Sequence, residues 1–344
     1  RQMCIRDRVE AWGPSGYEHH VREIIRQEVA PFADDIRVDP LGNLICRVGQ
    51  GGKKIMIAAH MDEIGVMAMY AEKTSGYLRF APIGGVLNTT LLGTRVRFEN
   101  GITGVVGAHD YFGTGRTSAT DIDNFFIDVN DGTENTVQVG SPAIFWRPLE
   151  ERGTRLIAKS MEDRIGCVVA IEAMRRLNKQ APNELHFVFT VQEEVGLRGA
   201  RAAGYGVDPD LAIALDVTST GDMAKNPKME VKLGGGAAIK IHDTGHVVPP
   251  AVRDWMINRA QTDGIPYQLE LLTLGTTDSA AIQTSRAGVP SGAISIPCRF
   301  VHTTSETVDT GDVEACVKLL VGLVGNTVSV SYTHLRAHET KANL

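Results

Sequence analysis

Residues 54–65 read KIMIAAHMDEIG, and this stretch decides the fold class. The part KIMIAA is apolar after its first lysine, and an uninterrupted apolar run is typical of a strand that is buried on both faces of an α/β sheet. The run ends at His60, and Asp62 follows two residues later. Because sites in open α/β sheets form at the carboxyl ends of the strands, His60 stands where a site is expected.

Strands and helices alternate through the second half of the chain. Such alternation predicts a mixed, largely parallel sheet flanked by helices. Near the beginning, Ser15 and Glu18 have the spacing of a capping box ahead of a first helix. Apolar runs and helical periodicity then predict strands at 43–48, 185–191, 211–215, 267–271 and 291–296, and helices after Arg164 and at 249–262, 278–287 and 311–325.

Between 65 and 155 the pattern changes to short β-rich runs separated by Gly, Asn, Asp and Thr. This texture predicts a small all-β domain inserted into the α/β domain. We therefore expect a discontinuous α/β catalytic domain formed by 9–64 and 156–329, with an inserted β-domain at 65–155.

The two ends of the sequence do not continue the neighbouring patterns. The leader RQMCIRDR and the tail SYTHLRAHETKANL resemble translated adapter sequence. We interpret 1–8 and 330–344 as non-native ends, and we discount His334 and His338 as ligands.

The composition of the chain argues against nucleic-acid-binding and membrane-spanning proteins. The formal net charge is −6 and no Lys/Arg run occurs, so neither a polyanion nor a nucleic acid is an expected partner. No apolar run is long enough to span a bilayer, so no membrane association is expected. A reducing cytoplasm fits the scattered cysteines, which form no CxxC pair: Cys4, Cys46, Cys167, Cys298 and Cys316.

Acids and histidines follow other predicted strands in the same way as His60. Glu193 and Glu194 end the run LHFVFTV, Asp216 follows LAIAL, and His302 lies beyond GAISIP. Adjacent carboxylates repel unless a cation or a shared proton offsets their charge. Because neighbouring side chains diverge on an extended backbone, one can bind metal while the other acts as a base.

Each of these segments alone has an ordinary alternative. The paired acids could form a solvated loop, Asp216 could cap a turn, and a histidine at a strand end often has no metal role. Together they match the ligands of zinc, cobalt or manganese. Two such ions in one site need a bridging carboxylate.

The residues also resemble a known family. The segments AAHMDEIGVMA, KSMEDRIGC, VQEEVGLRGA, ALDV and SIPCRFVHTTSE are similar to the signature of the tetrahedral aminopeptidases, some members of which carry a cellulase or endoglucanase label. The resemblance implies a zinc-peptidase-like α/β domain with an inserted barrel-like dimerisation domain. It also implies peptide substrates, two divalent ions (Zn, Co or Mn) and self-association into dimers and a homododecamer.

Carried over by position, the resemblance assigns one ion to His60 and Asp216 and the other to Glu194 and His302. Glu193 would be the general base or acid, and Asp62 would orient His60, as carboxylates often do for a metal-bound imidazole.

The bridging position departs from the family pattern, because Glu162 stands where the resemblance implies an Asp. Three interpretations stay open: Glu162 bridges with altered spacing, Asp163 bridges instead, or the site is weakened. An amidohydrolase of N-acyl amino acids and a non-catalytic assembly subunit are the competing functions.

Two further segments have no assigned role. Thr276, Thr277 and Asp278 either line the substrate pocket or cap the helix at 278–287. We interpret His242 and His246 as solvated loop residues.

Overall fold

The computed structural model describes residues 2–73, 75–109, 121–129, 137–224 and 228–328. The tail at 330–344, with His334 and His338, lies outside the described residues. None of the described helices is long and apolar enough to cross a membrane.

The helices and strands follow one another along the chain as two groups. The helices are α1 (Gln2–Glu10), α2 (His19–Val29), α3 (Met161–Leu177), α4 (Arg198–Val207), α5 (Pro250–Thr262), α6 (Asp278–Gln283) and α7 (Thr310–Val324). The strands are β1 (Asp35–Val38), β2 (Leu44–Val48), β3 (Lys54–His60), β4 (Gly65–Ala71), β5 (Leu78–Ile83), β6 (Arg95–Phe98), β7 (Thr103–Ala108), β8 (Phe125–Asp128), β9 (Pro142–Phe145), β10 (Glu150–Arg152), β11 (Arg155–Ala158), β12 (Glu184–Thr190), β13 (Leu211–Thr218), β14 (Ala237–His242), β15 (Tyr267–Leu271), β16 (Ser291–Arg299) and β17 (Glu306–Asp309).

A large mixed sheet forms the centre of the molecule. Its main path runs β1-β2-β12-β3-β13-β16-β17-β11-β10, with β14 and β15 attached beside β16. The four central strands β12, β3, β13 and β16 are parallel to one another, and antiparallel strands extend the sheet on both sides. The predicted sheet flanked by helices is confirmed.

Both faces of the central strands are buried because their apolar residues alternate between two helical layers. Ile55 and Ile57 of β3 pack in a core with helices α2, α3 and α7. Met56 and Ala58 of the same strand pack in a second core with α4 and α6. This two-sided burial is the reason that KIMIAA shows no polar alternation.

A closed barrel of six strands is inserted after β3. Its strand order is β4-β5-β8-β7-β6-β9, and every described pairing within it is antiparallel. Its own core contains Val66, Phe80, Val96 and Ile127. The predicted barrel-like insertion is therefore confirmed. Its strands end at Phe145, and β10 and β11 already pair within the large sheet.

Several local predictions need correction. The capping box is wrong, because the Ser15 hydroxyl donates to Asp62 (2.6 Å) and Glu18 accepts from the backbone N–H groups of Gly16 and Gln192. Strand β13 continues to Thr218, so Asp216 lies within the strand. Helix α6 ends at Gln283, not at residue 287.

Residues 2–8, which the sequence pattern set apart, form part of α1. Ile5 and Arg8 are buried there. The Arg8 guanidinium pairs with Glu28 of α2. The non-native origin of this segment stays a prediction.

Candidate metal centre

The four central parallel strands bring the predicted residues to one edge of the sheet. His60 ends β3, and Asp216 lies near the end of β13. Glu193 and Glu194 follow β12, and His302 follows β16. Since these strands are adjacent and parallel, their carboxyl ends converge.

The side chains form two groups, and within each group the potential ligand atoms all lie within 4.8 Å of one another. The first contains His60, Glu193 and Asp216. The second contains Glu162, Glu194 and His302. All six belong to the predicted set.

Glu162 lies between the two histidines. One carboxylate oxygen, Oε1, is 3.4 Å from His60 Nε2, and the other, Oε2, is 2.8 Å from His302 Nε2. A carboxylate that directs one oxygen toward each group has the arrangement required of a bridging ligand.

Asp163 has a different environment from Glu162. Its Oδ1 accepts the backbone N–H of Gly166 at 3.1 Å, within the first turn of α3. A Cβ at Gly166 would lie only 2.2 Å from this oxygen, so the close approach depends on glycine. Burial and the nearby Asp216 raise the pKa of the Asp163 carboxyl well above its usual value. These contacts associate Asp163 with the start of the helix.

Asp62 connects the site to the loop after β12. Its Oδ1 lies 3.3 Å from His60 Nδ1, which leaves Nε2 of that ring facing the cluster. The same carboxylate accepts the backbone N–H groups of Glu193 (3.0 Å) and Glu194 (3.1 Å). It also accepts the hydroxyl of Ser15, a contact that sequence reasoning missed. Asp62 therefore contacts an imidazole and the backbone of two neighbouring acids at once.

Glu306 is a second residue that sequence reasoning missed. It is buried, and its two oxygens accept the backbone N–H groups of Glu162 (3.0 Å) and His302 (2.8 Å). Burial, followed by the nearby Glu162, raises the pKa of Glu306 to about 8. The only sequence signal is its place at the end of the segment SIPCRFVHTTSE.

The barrel also reaches the site, through the loop after β5. The carbonyl oxygen of Gly85 lies 2.9 Å from His302 Nδ1. A Cβ at Gly85 would lie 2.6 Å from the same nitrogen, and one at Gly84 would lie 3.0 Å from Glu194 Oε2. Two consecutive glycines therefore allow the barrel backbone to approach the side chains of His302 and Glu194.

The cluster concentrates negative charge in a buried space. Burial raises the pKa values of Glu193, Glu194 and Asp216 well above their usual values, and nearby carboxylates contribute in the same direction. Burial lowers the pKa of His302, but Glu162 outweighs this and raises it to about 11. Burial alone would raise the pKa of Glu162. The nearby His302 outweighs burial and holds the pKa of Glu162 below its usual value.

These electrostatics fit divalent cations. Glu194 Oε1 is buried and accepts no hydrogen bond from the residues that the structure describes. Carboxylate oxygens and imidazole nitrogens, which lose their protons when an ion binds, are the donors of zinc, cobalt and manganese sites. Bound cations would offset the repulsion between the buried acids.

The segment around α6 borders this site. Thr277 caps the helix by accepting the N–H of Ser279, so the capping interpretation is confirmed. Asp278 is buried and accepts the Thr190 hydroxyl at 2.5 Å, and burial raises its pKa to about 6. His242 is exposed as predicted, whereas the prediction for His246 is wrong. His246 is 2% exposed, and its Nδ1 lies 2.8 Å from the Ser279 hydroxyl.

Comparison with known proteins identifies the family. The family description "M42 glutamyl aminopeptidase" matches residues 42–319, which include every candidate ligand above. The chain belongs to the M42 glutamyl aminopeptidase family. M42 enzymes are metal-dependent hydrolases of peptide bonds, in agreement with the donor set at the sheet edge.

Individual M42 relatives cover nearly the whole chain. A putative aminopeptidase of Acetivibrio thermocellus is 44% identical over 90% of this chain and 94% of its own. A lysyl aminopeptidase of Pyrococcus furiosus is 33% identical over 94% of this chain and 97% of its own. Among solved structures, the TET1 peptidase of Pyrococcus horikoshii superposes with a TM-score of 0.84 at 31% identity, covering 94% of this chain and 98% of its own. That peptidase assembles into a tetrahedron or a large octahedral shell. The resemblance to tetrahedral aminopeptidases is thus confirmed.

Proposed function

We propose that this chain is an aminopeptidase that removes N-terminal residues from peptides with two divalent ions in the strand-end site. The observation that carries the proposal is the position of Glu162, whose two oxygens face His60 and His302 separately. One ion would be held by His60 and Asp216. The other would be held by Glu194 and His302. Glu162 would contact both ions. Asp163 is assigned to the helix start because its carboxylate accepts the Gly166 N–H.

Two divalent ions in such a site supply a nucleophilic water at neutral pH and polarise the scissile carbonyl. Glu193 would act as the general base, since its Oε2 lies 3.9 Å from His60 Nε2 and its side chain is buried at the edge of the cluster. It would take the proton of the attacking water and return it to the leaving amine. Burial raises the pKa of Glu193, which favours its uptake of the proton from the attacking water.

Asp62 would have a positioning role. It holds the His60 ring with Nε2 toward the cluster, and it fixes the backbone that presents Glu193 and Glu194. A carboxylate behind a metal-bound imidazole also raises the basicity of that ligand. Glu306 would position Glu162 and His302 through their backbone N–H groups.

Substrate comparison tests this function directly. The chain, loaded with zinc, cobalt or manganese, is assayed on short peptides with a free amino terminus, on the same peptides with the terminus acetylated, and on N-acyl amino acids. We expect hydrolysis of the free peptides alone, and loss of activity after chelation. Preferential cleavage of N-acyl amino acids would instead establish the amidohydrolase alternative. Two bound ions without hydrolysis of either substrate would establish a non-catalytic subunit.

We also propose that the chain self-associates into dimers and a dodecamer, as implied by its similarity to the P. horikoshii TET1 peptidase, which forms large shells. Light scattering on the purified chain tests this proposal. A mass of a single chain at assay concentration would contradict it.

A further inference from the structure

A second group of side chains with potential metal-ligand atoms lies where helix α2 meets the barrel. His19 and His20 begin helix α2, and Glu99 follows strand β6 of the barrel. The Nε2 atoms of the two histidines lie 3.0 Å and 3.1 Å from the same oxygen, Glu99 Oε1. Residues that are about 80 positions apart in the sequence are thus joined through one carboxylate oxygen.

The convergence of the two imidazoles is unusual for their positions. Consecutive residues of a helix do not face each other, yet the rings of His19 and His20 have centroids only 4.2 Å apart. The Trp12 ring contacts both imidazoles edge-on, with centroid distances of 6.3 Å and 5.8 Å. Trp12 is itself buried, and its Nε1–H donates to the carbonyl of Arg97 in β6. The two imidazoles therefore pack against Trp12, which is hydrogen-bonded to the barrel, while their side chains stay 45% and 50% exposed.

The donors have the identity of a zinc site, and each imidazole nitrogen lies at a suitable distance from the carboxylate oxygen. Two imidazole nitrogens and one carboxylate oxygen form a ligand set that zinc accepts, with a fourth position left for water. Zinc–ligand bonds of about 2.0–2.1 Å in a tetrahedron place neighbouring donors roughly 3.3 Å apart. The observed separations of 3.0 Å and 3.1 Å are close to that value.

We propose that His19, His20 and Glu99 bind one zinc-class divalent ion, separate from the strand-end site. None of these residues contributes to the proposed hydrolysis. The ion connects the first turn of α2 to the barrel, and because it binds the folded arrangement alone, it stabilises the docking of the barrel. The site goes beyond the proposed function and does not depend on it.

Zinc counting by equilibrium dialysis tests the proposal. The wild-type chain is compared with Glu99→Gln, His20→Ala and the control His186→Ala. Glu99→Gln keeps an oxygen that accepts hydrogen bonds from both imidazoles but removes the anionic ligand. His186 is a matched control because its Nε2 lies 2.8 Å from the single carboxylate of Glu184, without a second histidine in that pair.

We expect wild type and His186→Ala to bind one more zinc ion per chain than Glu99→Gln and His20→Ala. We also expect added zinc to raise the melting temperatures of wild type and His186→Ala more than those of Glu99→Gln and His20→Ala. Peptidase activity unchanged in Glu99→Gln would show that the variant is folded and that its strand-end site is loaded. Equal zinc content in wild type and Glu99→Gln throughout the titration would overturn the proposal and leave a hydrogen-bonded contact between the domains.

Discussion

The two proposed ion positions of the strand-end site are held in different ways. The core half consists of His60 and Asp216, which belong to β3 and β13 and are 1% and 3% exposed. The loop half consists of Glu194 and His302, which lie in loops after β12 and β16. His302 has a left-handed backbone (φ +62°), and its side chain is 27% exposed.

This difference shows which parts of the fold control which ligands. The sheet itself fixes the core half through the strand register and through Asp62. Asp62 also accepts the N–H of Glu194 in the loop half, but His302 in that half depends on two remote contacts, the Glu306 carboxylate and the carbonyl of Gly85 in the barrel loop. A perturbation of the barrel should therefore affect the loop half and spare the core half.

The largest effect is expected from removing the base while leaving both halves intact. Glu193→Gln preserves the side-chain shape but cannot take a proton. General-base catalysis contributes typically 10²–10⁴-fold, so we expect a fall of about that size in kcat with two ions still bound. Peptide hydrolysis and metal content are measured together, with the exposed Glu23→Gln as control. A decrease of only a few-fold would refute the role of Glu193.

The connection between the halves is tested by a pair of substitutions. Glu162→Gln removes the charge that faces both histidines, and we expect loss of at least one bound ion and of most activity. Asp163→Asn keeps the oxygen that accepts the Gly166 N–H, and we expect both ions to remain. Metal content after dialysis distinguishes the two variants. The reverse pattern would assign the bridge to Asp163.

Glu306 offers a way to weaken the loop half through residues that do not touch the ions. Glu306→Ala removes the acceptor for the N–H groups of Glu162 and His302. Loss of a supporting contact typically costs about 10–100-fold in metal affinity. We expect the larger loss for the second ion, because His302 is assigned to that ion alone whereas Glu162 is assigned to both.

A calorimetric metal titration measures both affinities of Glu306→Ala. Partial recovery in Glu306→Gln, which retains one accepting oxygen, would support positioning by hydrogen bonds. Equal weakening of both ions would show that the halves are not independent.

A smaller effect is expected from the barrel side. Gly85→Ala introduces a Cβ about 2.6 Å from His302 Nδ1, so the ring or the loop must shift. We expect a loss in affinity for the second ion at the lower end of the 10–100-fold range, because the loop can partly relax. Gly206→Ala is the matched control, since no described atom lies within 4 Å of its added Cβ. Unchanged titrations for Gly85→Ala would show that the barrel loop does not position His302.

The sequence predicted the core half more completely than the loop half. Apolar runs that end at His60 and near Asp216 are local signals, and the parallel arrangement of the strands follows from the βα alternation. The contacts of Glu306 and Gly85 depend on chain segments brought together only by the fold, so no local pattern reveals them. Ser15 shows the same limit, because its hydroxyl binds Asp62 in place of the predicted helix cap.

His246 marks another limit of sequence reasoning. Its surroundings, HDTGH, have the composition of an exposed loop, and His242 is indeed exposed. His246 instead packs against the start of α6, where Ser279 contacts its Nδ1. Burial of a polar side chain in a loop depends on the element that covers it, and the sequence does not specify which one does.

The smallest expected effect concerns stability in the absence of ions. Burial raises the folded-state pKa values of Glu193, Glu194 and Asp216 above their unfolded values. A raised pKa contributes stability that is complete below the unfolded pKa, near 4.5 for Glu, and is lost as the pH rises toward the folded value. His60 and His302 also have raised pKa values, so their contribution to stability likewise falls as the pH rises above 6.5. Glu162 and Asp62 have lowered pKa values, so their contribution to stability rises with pH instead.

We therefore expect the melting temperature of the chelated chain to fall by several degrees between about pH 5 and 8, as its buried acids resist ionisation. Ions bound in the two halves favour the ionised carboxylates, so the loaded chain should show no such fall. Thermal melts with and without chelator across this range measure the difference. Parallel pH profiles would mean that the buried carboxylates are neutralised by contacts other than metal ions. In that case, the contrast between the core half and the loop half would concern packing alone.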